Sequence, residues 1–581
     1  MHYQLLGDNI KENFAEELLR NRGISGDLHS YVFTKDSDVE SYDLLDNVHE
    51  GCALLHKHLA AKNKILILED SDVDGITSSA LLFNFIKGEV DKTANLEFAV
   101  HESKAHGLSD VISFVLNKTP KLVICPDSSS NDEEFHKQLR EKGIDVLVID
   151  HHECDTYSKY AVTINNQMSP RYENKQLSAA GVVWQFLRCY NDMYLGGKVQ
   201  MENYLDIAAI GNCADQMSLR SKETKHLMHY GFSHPHSPIV KALFKAQEFS
   251  MKGVATPISV AFYIAPMLNA VTRVGTLDEK RNLFEAFLTE NADKVVPSTK
   301  RGASPGDTEN FVEQQIRIAG NVRNRQNKMV DEMMEVLVQK IEEEKLYNHK
   351  LLLLDVPEDA IAPEVVGLIA NKIAAKYQHP TILTRRIGDN NKGSLRNFAF
   401  SPIENFRSQL EASGLVQFAQ GHESAAGVAF SHDKTTQILD YFDNKWKDVE
   451  FSSSYKVDFI FDYHQERPDL VACIKNIGEL NKLGLWGQDV PEPYIVIKNL
   501  PLSRLRFFEK RPTIRIDCAG FNAMKFKSSA EEYALFNEGK SADIVCTCNL
   551  NEWRGQVTPQ VFIADYELHH DSYSGYGWDS F

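Results

Sequence analysis

The stretch KILILEDSDVDGITSSALL, residues 64–82, joins an apolar run directly to three aspartates at spacing two. Its first five residues have the length and the aliphatic content of a strand that is buried on both faces. Two similar runs follow, KLVIC at 121–125 and DVLVI at 145–149, and helix-like stretches at 77–88 and 132–142 lie between the runs. This alternation predicts βαβ units and a parallel sheet, in which ligands bind beyond the carboxyl ends of the strands.

Carboxylates and imidazoles stand where these runs end. We expect a later apolar stretch, YLDIAAIGNCADQMSL at 204–219, to deliver Asp215 to the same edge of the sheet. Any one of these residues alone would most simply be a turn or cap residue, but four successive runs with such endings indicate a shared site. The residues that follow the first three runs are Asp70, Asp72 and Asp74, then Asp127, and then Asp150, His151 and His152.

The first of these segments has two simpler interpretations. A D-x-D-x-D-G string begins the loop of a calcium-binding EF-hand, but its twelfth position here is Leu81, where a bidentate glutamate is required, and a helix should precede it. A turn followed by a helix that Thr77 or Ser78 caps would explain one acidic residue and leave the others unexplained. Neither interpretation accounts for the aspartates as a set.

Carboxylates packed at one sheet edge repel each other and raise each other's pKa, and a divalent cation offsets that repulsion. Aspartate oxygens and histidine nitrogens without thiolates suit Mn²⁺ best, with Mg²⁺ or Zn²⁺ as the alternatives. The residues are numerous enough for two ions, and a two-metal centre can hydrolyse phosphodiesters. The sequence has no Walker A or Gly-x-Gly-x-x-Gly string, so nothing in it supports a nucleotide-triphosphate motor or a dinucleotide-binding protein.

Composition limits the class of protein. The chain has 581 residues, enough for about three or four domains. Its formal net charge of −18 argues against indiscriminate coating of nucleic acid but is compatible with local basic channels. No apolar run is long enough to span a membrane, and the amino terminus lacks the order of a signal peptide. Nine scattered cysteines without a CxxC pair fit free thiols in a reducing cytoplasm.

The pattern changes in the second half of the chain. Residues 306–346 predict one long charged helix, interrupted only by Gly320 and suited to joining two domains. A second α/β segment follows to about residue 432, and the strand-rich part from about residue 453 predicts a small β-barrel. Basic residues also cluster, although each cluster alone is more simply a solvated face. They are Arg317, Arg323, Arg325 and Lys328; Arg385, Arg386, Lys392 and Arg396; and Arg504, Arg506, Lys510, Arg511 and Arg515.

The segments at the ends of the apolar runs resemble the motifs of the DHH phosphoesterase family. DSDVDGITS resembles its first motif, Asp127 stands at its second, DHH is its third and GNCADQMSL resembles its fourth. Other segments are similar to the RecJ-type single-strand DNA exonucleases of that family, in the same order along the chain. These are LSAAGVVWQFL (177–187), PMLNAVTRVG (266–275), GSLRNF (393–398), GHESAAG (421–427), LWGQDVPEPYIVI (485–497) and LNEWRGQVTPQVFIADYEL (550–568).

The resemblance implies an α/β multidomain protein with a parallel-sheet DHH domain, a long connecting helix, a smaller α/β DHH-associated domain and a C-terminal OB-fold β-barrel. OB-folds bind single strands by stacking and charge, which fits the basic clusters. The expected boundaries are 1–49 for an N-terminal segment, 50–300 for the DHH domain, 301–346 for the connecting helix, 347–435 for the DHH-associated substrate-binding domain, 452–568 for the OB-fold and 569–581 for a flexible tail.

The resemblance also implies roles at the metal centre. The residues that correspond to metal ligands are Asp70, Asp72, Asp74, Asp127, His151 and Asp215. Among them Asp127 would bridge two ions and Asp70 would assist. His152 corresponds to a residue that contacts the scissile phosphate and stabilises the developing charge, and Asp150 would orient the imidazoles.

Further motif residues correspond to substrate contacts. Ser394 and Arg396 match a GSxR element that grips a terminal phosphate, and Gly421 and His422 match a GGH element. The residues that would contact substrate are Asn269, Arg273, Ser394, Arg396, Gly421, His422 and Lys104.

The chain departs from the family pattern in three places. The Cys-Gly of the second motif is here Ser128-Ser129, and the first glycine of GGH is Gln420. In ESKAHGL, Lys104 stands for a family arginine and His106 for a tyrosine. These differences concern end recognition rather than the metals, and they suggest a divergent, phage-borne member.

The leading hypothesis is therefore a metal-dependent 5′→3′ exonuclease that degrades single-stranded DNA to mononucleotides, in DNA repair, recombination or replication. The resemblance supplies the polarity and the substrate. We expect a cytoplasmic monomer that works with single-stranded DNA, and a single-strand-binding protein or a helicase as protein partner. The alternatives are a DHH phosphodiesterase of short oligonucleotides or cyclic dinucleotides, and an inactive DHH protein that acts as a replication scaffold.

Overall fold

The computed structural model describes residues 1–101, 107–452 and 454–570. The chain divides into two compact units. The central unit is His29–Asn327 with Trp486–Val490, and the flanking unit is Met1–Leu28, Lys328–Leu485 and the described residues from Pro491 onward.

Strands occur along the whole of the described chain. They are β1 His2–Leu5, β2 Ile65–Glu69, β3 Leu96–Val100, β4 Leu122–Pro126, β5 Asp145–Asp150, β6 Val162–Asn165, β7 Val295–Pro297, β8 Thr308–Asn310, β9 Leu352–Pro357, β10 Thr381–Ile387, β11 Asn390–Arg396, β12 Phe418–His422, β13 Ala425–Ser431, β14 Ser454–Val457, β15 Phe459–Asp462, β16 Tyr494–Pro501, β17 Leu505–Phe508, β18 Thr513–Asp517, β19 Asn522–Phe526, β20 Ser541–Trp553 and β21 Gln556–His569.

The α-helices follow the same order. They are α1 Phe14–Arg20, α2 Leu28–Val32, α3 Val48–Ala60, α4 Val73–Phe85, α5 Ile112–Lys118, α6 Glu133–Glu141, α7 Ala179–Tyr190, α8 Leu205–Ala214, α9 Lys222–Ser233, α10 Pro238–Ala246, α11 Pro257–Ser259, α12 Ala265–Val274, α13 Leu277–Phe287, α14 Phe311–Glu343, α15 Pro363–Tyr377, α16 Phe406–Glu411, α17 Thr435–Lys445, α18 Arg467–Lys482 and α19 Ala530–Glu538.

A parallel sheet with the strand order β3-β2-β4-β5-β6 forms the core of the central unit. The three strands predicted from the apolar runs are confirmed to within one residue at each end. β2 and β4 are buried along their whole length, which explains why their sequences are unbroken aliphatic runs. The edge strands β3 and β6 escaped prediction because β3 is only partly buried and β6 has only four residues.

Helix α4 begins earlier than the sequence suggested. Asp72 is its N-cap, since Asp72 Oδ1 accepts the backbone N–H groups of Asp74 and Gly75 at 2.9 and 3.0 Å. A cap at Thr77 or Ser78 is wrong: both hydroxyls lie inside the helix and donate to carbonyls of the preceding turn. Asp70 and Asp72 therefore lie between the strand and the helix, with Asp72 as the cap, and Asp74 is in the first turn of the helix.

The fourth apolar stretch, which we expected to deliver Asp215 to the sheet edge, is a helix. Residues 205–214 form α8, and Asp215 is the residue that ends it. The stretch is long enough for nearly three helical turns and contains Ala208 and Ala209, which favour a helix over a strand. α8 packs on α4 and α7, and this packing rather than a strand end brings Asp215 to the cluster.

The flanking unit contains two further sheets. The first has the order β12-β13-β11-β10-β9, and α15 packs on β10 and β11. The second has the order β15-β16-β20-β21-β19-β18-β17, and it is mixed because β15–β16 and β19–β21 are parallel pairs while the others are antiparallel. The predicted strand-rich region corresponds to this second sheet.

The first residues of the chain belong to this flanking unit. β1 pairs in parallel with β14. Arg22 donates to both carboxylate oxygens of the buried Asp458 at 2.8 and 3.1 Å, and Phe14 packs edge-on against Phe459. These contacts tie residues 1–28 to the segment that leads into the seven-stranded sheet, which the sequence did not predict.

The predicted long helix is α14, of 33 residues, and the division between the two units falls within it. It starts at Phe311 because the preceding residues, Thr308–Asn310, form a short strand. In the part of the chain that the structure describes, no helix combines the length and apolar character that crossing a membrane requires.

Candidate active site

Ligand-capable side chains meet beyond the carboxyl ends of β2, β4 and β5. Asp127 and His151 each take part in more than one group of such side chains, so the groups form one continuous cluster. This cluster contains all six residues predicted to be metal ligands. Within each group, one oxygen or nitrogen atom per residue lies within 4.8 Å of the others; the groups are Asp70, Asp72 and Asp127; Asp74, His151 and Asp215; and Asp127, Asp150, His151 and His152.

Asp74 is held by the start of another helix. Its Oδ2 accepts the N–H of Ala179 at 2.6 Å, and its Oδ1 accepts the N–H of Ala180 at 3.1 Å, at the N-terminus of α7. Burial raises the pKa of this carboxyl and His151 opposes the rise. The two backbone donors fix the orientation of the carboxylate and leave lone pairs on both oxygens for another partner.

Two glycines make room for these aspartates. A Cβ at Gly211, on α8, would stand 2.5 Å from Asp74 Oδ1 and from Thr77 Oγ1. A Cβ at Gly75 would stand 2.5 Å from the carbonyl oxygen of Asp70. The close packing of α4 against α8 and against the end of β2 therefore requires glycine at both positions.

His151 is surrounded by carboxylates. Its Nε2 lies 3.3 Å from Asp127 Oδ1, 3.5 Å from Asp215 Oδ2 and 3.8 Å from Asp74 Oδ2. Burial lowers the pKa of the imidazole, and Asp74 acts in the opposite direction. The neutral form that burial favours is the one that ligates metal ions.

The carboxylates crowd one another strongly. Burial, followed by the charges of Asp74 and the neighbouring aspartates, raises the pKa of Asp127 well above its usual value. For the same reasons the pKa of Asp215 rises to about 8. Such a cluster is costly to ionise without compensating positive charge, and its donors of one imidazole and several carboxylate oxygens fit divalent cations.

Asp150 and His152 form a pair beside the cluster. His152 Nδ1 lies 2.8 Å from Asp150 Oδ1, and Asp150 also accepts the backbone N–H of His151 and of Ser130. Burial tends to raise the pKa of Asp150, but the bond from His152 and the nearby imidazoles hold it well below its usual range. The arrangement supports the predicted orienting role of Asp150.

His152 itself faces solvent, with 55% of its side chain exposed. Burial of part of the ring lowers its pKa, but the hydrogen bond to Asp150 and the charges of Asp150, Asp215 and Asp70 raise it to about 9. Because Nδ1 is engaged by Asp150, the second nitrogen of a cationic ring points away from that carboxylate. This geometry suits contact with a phosphate.

Arg273 lies near the same cluster. It is in the last turn of α12, which packs on α4 and α8. Burial lowers its pKa and the charge of Asp72 raises it, so the guanidinium is close enough to Asp72 to interact with it. Asn269 stands four residues earlier and therefore shares a helix face with Arg273. The predicted contact at Lys104 lies outside the described residues, as does His106.

The second motif has an unusual backbone. Asp127 and Ser129 have φ values of 67° and 75°, in the left-handed region. A glycine at position 129, as in the usual family motif, would adopt this conformation freely, whereas Ser129 adopts it at a cost of roughly 1 kcal/mol. This left-handed backbone conformation turns the chain so that Asp127 faces the cluster and the Ser130 N–H reaches Asp150 at 3.3 Å.

The predicted phosphate-binding residues lie in the flanking unit, on β11. Arg396 Nη1 donates to Ser394 Oγ and to the carbonyl of Leu395, and Ser394 Oγ donates to the carbonyl of Ala426. A Cβ at Gly367 of α15 would stand 2.5 Å from Arg396 Nη2. The guanidinium is thus held in one orientation by hydrogen bonds to its own strand. It also occupies space next to α15 that is open only because residue 367 is a glycine.

Gly421 and His422 end β12, on the other side of β13 from these residues. In the register of the sheet, Arg396 and His422 both pair with Ala425. Gly421 has a φ of 130°, and a Cβ there would stand 2.9 Å from the carbonyl oxygen of Ala425. The GSxR and GGH elements therefore lie on three adjacent strands, with Arg396 and His422 opposite the same residue of β13.

Sequence reasoning missed the residues that support the aspartates, namely Ala179, Ala180 and Gly211. The serine and two alanines that open LSAAGVVWQFL signal a helix start, but the carboxylate that caps it lies 105 residues away. Only the tertiary structure pairs them. Gly211 opens the fourth motif and Asp74 belongs to the first, but the sequence did not show that the two residues are in contact.

Comparison with known proteins agrees with this arrangement. Residues 64–212 match the DHH family N-terminal domain and residues 471–565 match the RecJ OB domain. The chain is 33% identical, over 98% of each chain, to YorK of Bacillus subtilis (strain 168), an SPbeta prophage-derived protein whose name gives single-strand DNA-specific exonuclease as a provisional activity. It is 23% identical to the single-stranded-DNA-specific exonuclease RecJ of the same bacterium, over 94% of this chain and 67% of that one.

Solved structures show the same fold. RecJ from Thermus thermophilus in complex with Mn²⁺ matches with a TM-score of 0.72 at 20% identity, over 95% of this chain and 76% of that one. The Mg²⁺ complex of the same protein matches with a TM-score of 0.64 at 19% identity, over 95% and 74% of the two chains. With a near full-length relative, both domain matches and the shared fold, the chain belongs to the RecJ family of DHH proteins.

Proposed function

We propose that the chain is a metal-dependent exonuclease that degrades single-stranded DNA from its 5′ end to mononucleotides by two-metal hydrolysis. The observation that carries the proposal is the sharing of Asp127 between two ligand groups at one sheet edge. Its relatives are named as single-strand DNA-specific exonucleases, which supports the substrate. The polarity rests on the family resemblance alone.

Each residue of the cluster has a part in this reaction. Asp74, His151 and Asp215 would hold one cation, Asp70 and Asp72 the other, and Asp127, which lies beside both sets, would serve both. Bound divalent cations polarise the phosphodiester and acidify the attacking water. His152 donates a hydrogen bond to the phosphate as negative charge develops on it, and Asp150 keeps the His152 ring in position for this.

Mn²⁺ is the cation we propose, with Mg²⁺ as the alternative. One imidazole among carboxylates favours Mn²⁺, because Mg²⁺ prefers oxygen ligands and water. A Thermus thermophilus relative has been crystallised with each ion. The pathway in repair, recombination or replication, a single-strand-binding protein or helicase partner, the monomeric state and the cytoplasmic location stay predictions.

The two alternatives fit less well. A phosphodiesterase of short oligonucleotides or cyclic dinucleotides has little use for the domain at 471–565, which matches the RecJ OB domain. An inactive scaffold would be expected to have lost ligands, but all six ligand positions retain carboxylate or imidazole groups.

The proposal is tested on matched substrates. We expect digestion of a 5′-labelled single strand to release labelled mononucleotide from the first turnover in Mn²⁺, and little release from the blunt duplex of the same sequence or in the presence of EDTA. A 3′-labelled strand should shorten progressively instead. Release of mononucleotide first from the 3′ label would reverse the proposed polarity, and cleavage only of dinucleotides would favour the phosphodiesterase.

Arg396 should determine the preference for a 5′-phosphate. Charge-assisted hydrogen bonds contribute about 1.5–3 kcal/mol, so Arg396→Ala is expected to slow digestion of 5′-phosphorylated strands roughly tenfold to a hundredfold. Strands with a 5′-hydroxyl should be affected much less. The measurement is the ratio of the two rates in variant and wild type.

Arg386→Ala is the matched control, because Arg386 is an exposed arginine on the neighbouring strand β10. Arg386→Ala should leave the ratio unchanged. If Arg396→Ala slows both substrates equally, Arg396 is a nonspecific contact to the DNA backbone and has no part in end recognition.

One face of the seven-stranded sheet has the side chains of a single-strand platform. The register aligns Arg506, Arg515, Met524 and Phe562 across β17, β18, β19 and β21. In the next row Phe508 and Phe526 flank Thr513, and they are 43% and 53% exposed. The ring of Phe526 lies 5.3 Å from that of Phe562. Exposed aromatic rings beside arginines are the groups that stack on bases and contact phosphates.

Phe526→Ala is expected to weaken binding to a long single strand. Stacking of a base on an aromatic ring contributes about 1–3 kcal/mol, so affinity should fall roughly fivefold to a hundredfold. The salt dependence should stay the same, because no phosphate contact is lost. The measurement is fluorescence anisotropy of a labelled strand over a range of salt concentrations.

Leu535→Ala is the control, because Leu535 is similarly exposed but lies on α19. Point variants are preferable to deletion of the whole predicted OB-fold domain, residues 452–568. That deletion would remove β14 and Asp458, which are the partners of β1 and Arg22. Equal affinity of Phe526→Ala and wild type would exclude this face from DNA binding.

A further inference from the structure

Two helices of the central unit bring together soft ligand atoms that belong to none of the groups in the acidic cluster. His49 and Cys52 stand three residues apart on α3, in HEGC. Cys189 is in the last turn of α7, and Met193 lies four residues further in a π-helical turn that continues it, in CYNDM. Residues at these spacings share a helix face, and α3 packs on α7.

Three of these side chains meet at their ligand atoms. Cys189 Sγ lies 3.5 Å from His49 Nδ1 and 3.7 Å from Met193 Sδ, and His49 Nδ1 lies 3.4 Å from Met193 Sδ. The three atoms therefore form a nearly equilateral triangle. Cys52 is next to Cys189, but its thiol donates to the carbonyl of Phe186.

Hydrogen bonding alone does not account for this triangle. His49 Nε2 lies 2.8 Å from Asp43 Oδ1, and when a neutral ring carries its proton on Nε2 to meet this carboxylate, Nδ1 presents a lone pair to the two sulfurs. The thioether of Met193 has no proton. In that case the thiol of Cys189 carries the single hydrogen among the three atoms, so not all three contacts can be hydrogen bonds. His49 Nδ1 and Met193 Sδ then face each other with no hydrogen between them.

A metal ion satisfies all three atoms. With metal–sulfur and metal–nitrogen distances of about 2.3 and 2.0 Å, tetrahedral ligation separates two sulfurs by about 3.8 Å and a sulfur from a nitrogen by about 3.5 Å. The observed separations are 3.7 Å between the sulfurs and 3.4 and 3.5 Å from sulfur to nitrogen. The contact of the ring with Asp43 is also the support that histidine ligands generally have.

We propose that His49, Cys189 and Met193 form a binding site for Cu(I). Thiolate and thioether ligands select soft ions, and a thioether in particular disfavours Zn²⁺ relative to Cu(I). The exposed edges of His49 and Met193 provide an entry path to the buried sulfur of Cys189. The site is distinct from the acidic cluster, whose oxygen ligands prefer harder ions.

The test is a Cu(I) titration of the reduced full-length protein under anaerobic conditions. Bicinchoninate serves as the competing chromophore, and excess Mn²⁺ is present throughout to occupy the acidic cluster. We expect one equivalent of Cu(I) to be bound more tightly than the remainder. Met193→Leu should weaken that equivalent at least about tenfold, and Asp43→Asn by about tenfold to a hundredfold, as for other residues that support a metal ligand.

Two further measurements keep the test decisive. Met193→Leu conserves volume at a partly exposed position, so its thermal unfolding should match wild type. X-ray absorption at the copper edge should show two sulfur neighbours at about 2.3 Å and one nitrogen at about 2.0 Å. Cys518→Ser, which removes a half-buried thiol of the flanking unit, is the control and should bind as wild type.

Unchanged Cu(I) affinity in Met193→Leu and in Cys189→Ala would overturn the proposal, because both remove a ligand. A tight equivalent of Zn²⁺ at these residues without one of Cu(I) would also overturn it. Hydrolysis of DNA has no part in any of these readouts, so they are independent of the proposed nuclease activity.

Discussion

Replacement of Asp127 by asparagine should abolish hydrolysis of single-stranded DNA and leave the fold intact. Asp127 lies with Asp70 and Asp72 in one ligand group and with His151 in another, so its loss is expected to remove ligation from both proposed cation positions at once. Lewis-acid stabilisation amounts to several kcal/mol, and the rate should fall by roughly a thousandfold or more. Asparagine is the substitution of choice because it has the same shape and tolerates the φ of 67°.

The same change should not destabilise the metal-free protein. Burial and four neighbouring aspartates raise the pKa of Asp127 well above normal, so without cations the folded protein must either bear the repulsion of an ionised carboxyl or take up a proton, and both cost folding free energy at neutral pH. A neutral side chain removes that repulsion, and we expect a melting temperature at least equal to that of wild type without metal. Addition of Mn²⁺ should raise the melting temperature of wild type much more than that of the variant, because only binding to the folded state stabilises it.

Proton release gives an independent measure of the same site. Carboxyls with raised pKa values, such as Asp215 at about 8, carry protons at neutral pH and must lose them to bind a cation. Mn²⁺ affinity of wild type should therefore increase as pH rises toward about 8, and calorimetry in buffers of different ionisation enthalpy should detect the released protons. Asp127→Asn should release fewer.

The control for this variant is Asp206→Asn. Asp206 is buried in the same unit and accepts the N–H groups of His236 and Ser237. Its replacement should lower stability but keep Mn²⁺ binding and turnover per folded molecule. A soluble Asp127→Asn protein with turnover near wild type would contradict the two-metal assignment.

The sequence predicted the sheet edge where the ligand-capable side chains meet because its signals are local. A strand buried on both faces appears as an unbroken aliphatic run, and the residue after it must lie at the carboxyl edge of the sheet, so Asp70, Asp127 and Asp150 could be placed together. The motif spacing then identified His151 and His152. None of this needed any contact between distant parts of the chain.

The remaining features depend on packing that no local pattern reveals. Asp215 reaches the cluster at the end of a helix, because α8 packs on α4. The backbone donors of Ala179 and Ala180 reach Asp74 across more than a hundred residues. The soft ligand triangle likewise joins His49 to Cys189, 140 residues away. Each of these sites becomes visible only when two helices are in place.

His152→Gln should reduce turnover by roughly a hundredfold to a thousandfold, the usual cost of removing one donor to a developing negative charge. His152 is cationic at neutral pH because Asp150 raises its pKa to about 9, and 55% of its side chain faces solvent. Glutamine keeps a polar side chain but loses the charge. Since His152 is assigned to the phosphate and not to a cation, its loss removes only a nearby charge that solvent and salt screen. The affinity for Mn²⁺ should therefore change by less than about threefold.

The comparison with His151→Gln separates the two adjacent imidazoles. His151 Nε2 lies among three carboxylates, so its loss should lower both Mn²⁺ affinity and turnover. His152→Gln should lower turnover alone, which equilibrium dialysis of Mn²⁺ alongside single-turnover digestion of a labelled strand would establish. Because the His152 charge also stabilises the buried Asp150, the melting temperature of the variant is expected to fall under either role, and the split between turnover and Mn²⁺ affinity is what separates them. Loss of one bound Mn²⁺ from His152→Gln would instead make His152 a metal ligand. The contact to the phosphate would then have to come from another positively charged side chain, and Arg273, which interacts with Asp72, is the candidate.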